Sequence, residues 1–456
     1  MARVLKWFLL ASFLMMVVMG GFVVWALVQG PRVASHSVLL LRFDGDVRER
    51  VEPTFWNLLK DDKAVSLKHV VDSLRRAADD PRIVGVSLDI RNPVISLADI
   101  QAIEAAMATF RASEKWNAAF LETAGEGDRG DAAYALAVTA DEVVLAPSGD
   151  INLVGLRAEV PFIRGTLDRL KIRAYVEKRS EYKNAANTFT ETQMTAPHRE
   201  ALKSVIDDLQ RDEIAHLAAR RNVSLEVVQG WLADGPLGAA DAAERKLVDR
   251  LAYWDELLVE AQKEAGRDEP FLELSAYAKN GGRFEHGPKL ALVLGDGEIH
   301  RGESAGQSEG DMGSDTLTDA FRQARDEGVK GVLFRVNSPG GSYIASDLIR
   351  REVQVTREAG IPVVVSMGSY AASGGYFVAM GANKIVAQPA TITGSIGVFQ
   401  AAFITREALN HWLGITFDTY EAAPNAGFFS WLAPPTDDRK ERLKRSIDRI
   451  YQDFVT

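Results

Sequence analysis

Two stretches decide the fold: GVSLDIRNP, Gly85 to Pro93, and GVLFRVNSP, Gly331 to Pro339. Each is an apolar, β-branched run closed by a proline, and they align at an offset of 246 with Gly, Val and Pro in common. A second block, Asp131 to Pro147, lies over Ser373 to Pro389 at an offset of 242. There Tyr134, Ala137, Ala140, Val144 and Pro147 recur as Tyr376, Ala379, Ala382, Val386 and Pro389, and Gly155 recurs as Gly397. Upstream, LLLRFDGDV (Leu39 to Val47) echoes LALVLGDGEI (Leu290 to Ile299), an apolar strand running into an Asp-Gly turn. Ordered blocks at nearly one offset mark a duplication, so one fold is written twice.

Within each copy short apolar runs alternate with amphipathic stretches. In the first, strands are expected near Val38, Val84 to Ile90 and Ala119, with helices at Leu67 to Ala78 and Leu97 to Arg111. That alternation predicts an α/β fold with a mostly parallel, buried sheet in each copy. From Pro197 to about Gly266 the pattern is almost wholly helical, and AKNGGRFEHGPK reads as a break between copies. The expected organisation is an N-terminal segment 1–30, a first α/β domain with helical extension at 38–266, a linker at 267–288, and a second α/β domain at 289–456. The second copy is expected to be incomplete relative to the first, which continues for roughly sixty residues past the matching point.

The 456 residues, 46% hydrophobic and 25% charged, are an ordinary globular mixture with room for two or three domains. A formal charge of -10 and the lack of any Lys/Arg-rich run argue against nucleic acid as a partner. No cysteine is present, which removes disulfides, thiol catalysis and Cys-based metal sites. Any nucleophile is therefore an oxygen or an amine. From Trp7 to Val28 run 22 residues without a charge, long enough at ~1.5 Å per residue for a helix to span a ~30 Å hydrocarbon core. Arg3 and Lys6 precede this span, and positive flanks stay in the cytoplasm. The expectation is a single uncleaved anchor in the cell inner membrane, in contact with lipid, with the rest of the chain on the extracytoplasmic, periplasmic side.

The two copies differ where chemistry would be carried. The second has SPGGS (Ser338 to Ser342) after an apolar strand, and paired glycines there permit a tight turn with uncovered backbone N–H groups, as an oxyanion loop requires. The first has NPVIS in that place. The second also has SYAASGGY, which presents Ser373 at a turn into a helix; the first has Asp131 there. Of the seven histidines only His411 follows Ser373, with Glu407 as the sole intervening acid, so a Ser-acid-His order is poorly supported, and AASGG lacks the first glycine of G-x-S-x-G. Lysine is the remaining base, provided burial destabilises its ammonium. Lys183, in SEYKNAANTF of the first copy, falls opposite Asn425 of the second. Each copy has lost what the other keeps.

On these residues the chain resembles the signal peptide peptidase A (protease IV) family, in its long form with two tandem domains and an N-terminal anchor, within the crotonase/Clp-protease superfamily. The resemblance covers nearly the whole chain, with AASGGY around Ser373, YKNAANTF around Lys183 (Asn184 standing where the family has Ser), and TGSIG from Thr393 to Gly397. It implies two crotonase/Clp-like domains that assemble a Ser-Lys dyad, with Ser373 as nucleophile and Lys183 as general base. By the same resemblance Ser395 holds the lysine, and Gly340, Gly341 and Gly374 supply the oxyanion donors. It further implies a serine endopeptidase that degrades released signal peptides, needs no metal or organic cofactor, and assembles as a homo-oligomer, a tetramer in the family. Two other readings stand beside it: a crotonase-type acyl-thioester enzyme, and a non-catalytic membrane-tethered scaffold. The apolar stretch AGFFSWLAPP (Ala426 to Pro435), beside the position aligned with Lys183, is expected to border the substrate groove.

Overall fold

The computed structural model describes residue 15 and residues 33–51, 63–280, 287–305 and 310–456. Apart from residue 15, the apolar stretch at 7–28 lies outside these. No helix among the described residues is long and apolar enough to cross a membrane. The chain forms two compact units, Met1–Val154 with His216–Gly287, and Gly155–Ala215 with Pro288–Thr456.

The first unit is built on a seven-stranded parallel sheet. Its order is Phe271–Glu273, Ser37–Arg48, Ile83–Val94, Trp116–Leu121, Glu142–Leu145, Arg250–Leu251, with Val65–Ser66 paired beside Ser37–Arg48. The helix Leu67–Asp79 starts where Ser66 Oγ accepts the His69 N–H, and it buries Leu67, Val70, Leu74, Ala77 and Ala78, the spacing of one helical face. Leu97–Arg111 repeats the device with Ser96 as cap and Ile100, Ile103, Met107 and Phe110 inward. Residues 267–288, read from the sequence as a linker, contain the strand Phe271–Glu273, which extends the sheet by pairing with Val38 to Leu40. A three-residue strand is too short to produce a period-2 signal, which is why it reads as loop.

The second unit has a five-stranded parallel sheet in the order Ala291–Asp296, Val332–Ser338, Val363–Ala372, Lys384–Val386, with Ile392–Gly394 paired to the far end of Val363–Ala372. Ser37–Arg48, Ile83–Val94, Trp116–Leu121 and Glu142–Leu145 follow one another in the first sheet as their counterparts do in the second. Gly155–Ala215, grouped with the first copy by sequence, belongs to the second compact unit. Its strand Arg173–Arg179 forms an antiparallel ribbon with Val398–Ile404, in register from Arg173↔Ile404 to Arg179↔Val398.

The core of this unit follows the alternation along Val332–Ser338, where Val332, Phe334 and Val336 are buried and Leu333 faces outward. Phe334 meets Phe321 of the helix Ser314–Asp326 edge to face at 5.1 Å. Truncating a buried aromatic ring leaves a cavity, so Phe334→Ala is expected to lower unfolding stability by roughly 3–5 kcal/mol. Leu333→Ala, one position along, should cost within about 0.5 kcal/mol. Urea denaturation of the two variants side by side checks the alternation; equal losses would refute it.

Candidate active site

Ser373 sits where the strand Val363–Ala372 turns into the helix Gly374–Ala379, with φ 53° and ψ -118°. A side-chain-bearing residue at positive φ is strained, and it holds that conformation only when its surroundings fix it. Here the Ser373 N–H donates to Gly394 O (2.9 Å) and its carbonyl accepts the Phe377 N–H (2.9 Å). The hydroxyl is thereby presented at a sharp strand-to-helix turn.

The SPGGS loop follows the neighbouring strand. Ser338 Oγ donates to Gly297 O (2.5 Å), while Ile299 N–H donates to Gly340 O (2.9 Å) and Ser342 N–H to Ile299 O (2.8 Å). Gly340 and Gly341 have φ of 106° and 153°, and an added Cβ would lie 2.8 Å from Ser373 Cβ in the first and 2.1 Å from Ile299 O in the second. Only glycine lets the loop pass this close. The expectation that Gly340 offers its N–H to an oxyanion meets a difference here, because that N–H donates to Ser338 Oγ (3.1 Å). Among the described residues the N–H groups of Gly341 and Gly374 donate to no protein acceptor, and both residues line the pocket at Ser373.

Lys183 follows the strand Arg173–Arg179, and the ribbon register carries it to Ser395, just before Val398–Ile404. It is 5% exposed. Its Nζ lies 3.0 Å from Ser373 Oγ, 3.0 Å from Ser395 Oγ and 2.7 Å from Ser395 O. An ammonium has three protons for these three acceptors. A neutral amine can keep both protons on Ser395 and turn its lone pair toward the Ser373 hydroxyl. Burial is the cause that pushes the Lys183 pKa down to about 8.

The pocket around Ser373 has a volume of about 90 Å³ and takes walls from Tyr343, Phe377, Val398, Phe399, Ile450 and Phe454. Ile450 and Phe454 come from the helix Asp437–Val455. His411 and Glu407 stay away: both are exposed on Arg406–Leu413, where His411 packs on Trp412 and Glu407 lies 3.8 Å from Lys171 Nζ. Of AGFFSWLAPP, expected at the substrate groove, no residue lines this pocket. Phe428 and Trp431 instead flank Arg439, and Phe429 is 80% exposed. In the first unit the counterpart of Ser373, Asp131, is buried and accepts the Val154 N–H (3.3 Å).

A duplicated α/β chain that sets a strained serine against a buried lysine is the class that fold and site define. A family model described as peptidase family S49 matches residues 125–268 and 355–456. Protease 4 of Salmonella typhi is 33% identical over 407 residues, covering 86% of this chain and 64% of that protein. Protease 4 of Haemophilus influenzae is 30% identical over 452 residues, covering 92% and 72%. The chloroplastic serine protease SPPA of Arabidopsis thaliana is 26% identical over 438 residues, covering 93% and 62%. The chain belongs to peptidase family S49. It spans 64%, 72% and 62% of the length of these three relatives.

Two stability outcomes follow from the site. Ser373→Gly removes the positive-φ strain that Ser373→Ala keeps, so the glycine variant should be the more stable by about 1 kcal/mol after its larger unfolded-state entropy is counted. Thermal melts that rank alanine above glycine would refute strain at Ser373. For Lys183 the folded pKa of about 8 lies below its ordinary 10.5, so the unfolded chain binds the extra proton between these values and stability rises with pH across that window. Lys183→Met should therefore be more stable than the parent at pH 7, with an advantage that shrinks toward pH 10. Urea midpoints at the two pH values measure it, and a constant difference would refute the buried-ammonium cost.

Proposed function

We propose that the chain is a membrane-anchored serine endopeptidase with a Ser373-Lys183 dyad, acting on released signal peptides outside the cytoplasm. The observation that carries the reading is the 3.0 Å hydrogen bond between Lys183 Nζ and Ser373 Oγ, at a lysine whose pKa burial brings to about 8. A base tuned toward neutral pH can take the serine proton without a histidine. Membership of a peptidase family and relatives bearing protease names support the reaction type.

In this mechanism neutral Lys183 accepts the Ser373 proton as Oγ attacks the scissile carbonyl. Ser395 Oγ and O hold the amine's other protons. The N–H groups of Gly341 and Gly374 receive the oxyanion, in place of the set that included Gly340. The lysinium returns its proton to the leaving amine, an acyl-serine remains, and water activated by the same amine releases the peptide acid. The crotonase-type alternative, which uses acidic residues beside its oxyanion loop, is disfavoured because among the described residues no Asp or Glu lines the pocket at Ser373. A scaffold would have no use for a strained serine and a desolvated lysine in contact. The proposal extends to crotonase/Clp-type domains, an N-terminal anchor in the inner membrane and a tetrameric assembly, all carried by the family resemblance.

Ser373→Ala and Lys183→Ala should each reduce cleavage of a detergent-solubilised signal peptide by roughly 10³-fold or more, and the double variant should be no worse than either. Near-normal turnover in Lys183→Ala would sink the dyad. Because only the neutral amine accepts a proton, kcat/KM should climb with pH through a midpoint near 8 and level off above it. A profile flat from pH 6 to 10 would remove lysine as the base. The aromatic and aliphatic walls of the pocket should favour apolar residues beside the scissile bond, and a peptide library cleaved chiefly at Lys, Arg, Asp or Glu would contradict a signal-peptide substrate.

A further inference from the structure

Lys183 lies on a turn between the strand Arg173–Arg179 and the short helix Asn187–Thr190. The two ends of that turn are tied by side chains: Lys178 Nζ donates to Asn187 Oδ1 (2.9 Å), closing the chain around the lysine. Asn187 is 1% exposed. Its Nδ2 has Asn184 Oδ1 and Thr195 Oγ1 at 3.4 Å each and His198 Nδ1 at 3.5 Å. Thr195 and His198 stand at the start of the helix Ala196–Arg221, where the Thr195 carbonyl accepts the Arg199 N–H (2.9 Å). One buried amide therefore joins the strand end, the turn and a helix of 26 residues.

A primary amide offers an acceptor oxygen and two N–H donors, so Asn187 can bridge elements that face it with unlike groups. Buried polar groups linked in this way hold one arrangement, because moving one partner leaves the others unsatisfied. Burial, with the Lys178 charge beside it, depresses the His198 pKa, which keeps the ring neutral and leaves Nδ1 able to accept. The charged groups around the turn are engaged elsewhere or face solvent. Arg179 pairs with Asp448 (2.6 Å), Glu177 accepts the Tyr175 hydroxyl (2.8 Å), Glu200 accepts the Tyr182 hydroxyl (3.0 Å), and Glu181 is exposed. Among the described residues Lys183 Nζ meets serine oxygens only, so its place depends on the turn that carries it and not on a counter-charge.

We propose that Asn187 is a positioning residue for the peptidase reaction: by bridging Lys178 to the helix Ala196–Arg221 it fixes the turn that sets Lys183 Nζ against Ser373 Oγ and keeps water from it. The inference rests on the Ser373-Lys183 dyad. Neither Asn187 nor Lys178 lines the pocket at Ser373, so both act on the base and not on the substrate.

The test is steady-state cleavage of one detergent-solubilised signal peptide by the full chain, comparing the parent with Asn187→Ala, Asn187→Asp, Lys178→Met and the Asn187→Ala, Lys178→Met double variant, with Lys183→Ala alongside. Asn187→Ala should lower kcat at pH 7 by roughly 10–100-fold, the scale on which a small misplacement of a catalytic group is felt, and leave KM within about 2-fold. A loosened turn admits water to Lys183 and favours its ammonium. The midpoint of kcat/KM, near 8 in the parent, should then move up by at least about 0.5, and the loss should shrink toward pH 10. Lys178→Met should reproduce both changes, and the double variant should be no worse than the more impaired single one, since the two side chains act through one bond. Lys178 is half-buried, so this variant carries the test if Asn187→Ala does not fold. Asn187→Asp keeps an acceptor for Lys178 and should recover kcat to within about 3-fold of the parent. With Lys183→Ala inactive, a kcat loss equal at every pH, a raised KM with kcat intact, additive losses in the double variant, or Asn187→Asp no better than Asn187→Ala would each overturn the assignment. Near-normal turnover by Lys183→Ala would instead remove the dyad, and the assignment with it.

Discussion

The site in the second unit depends on one backbone constraint, the antiparallel pairing of Arg173–Arg179 with Val398–Ile404. Side chains on adjacent strands are placed by register, and a slip of one residue would turn every side chain to the other face. The register from Arg179↔Val398 onward sets the turn bearing Lys183 beside the turn bearing Ser395. Because Ser373 N–H is fixed on Gly394 O, one residue before Ser395, serine and lysine are located by the same short piece of chain. Lys183 needs no counter-charge of its own. Three oxygen acceptors and exclusion of water define its position, and burial is the cause that lowers its pKa.

That arrangement stores two local costs. Ser373 occupies a conformation natural to glycine, and Lys183 loses the hydration that an ammonium prefers. Neither benefits the folded state, and both are tolerated because the surrounding sheet is ordinary, well-buried structure. The first unit shows the relaxed alternative: a similar sheet, with an aspartate held by a backbone N–H where the serine would be.

Much of this was legible in the sequence because the fold is duplicated. Comparing copies exposed Ser373 against Asp131 and Lys183 against Asn425, so differences within one chain stood in for a comparison between chains. The parallel sheets and the helices at Leu67–Asp79 and Leu97–Arg111 followed from the alternation of apolar runs with amphipathic stretches. The rest was hidden for definite reasons. A carbonyl such as Ser395 O has no residue signature, and the engagement of Gly340 N–H with Ser338 Oγ depends on loop geometry. Ile450 and Phe454 announce an apolar face but not what it covers. The grouping of Gly155–Ala215 with the second unit is a long-range pairing, to which local pattern is blind.

The same long-range pairing sets a clock on the ribosome. Lys183 is synthesised 190 residues before Ser373, and at roughly 5–20 residues per second that separation lasts about 10–40 s. The partner strand Val398–Ile404 emerges later still. Until it does, the lysine has neither the hydroxyl nor the dry enclosure that lowers its proton affinity, and behaves as any solvated amine. The contact between Lys183 and Ser373 is therefore made only once the ribbon closes. The discontinuous unit thus has a delay built into the order of its synthesis.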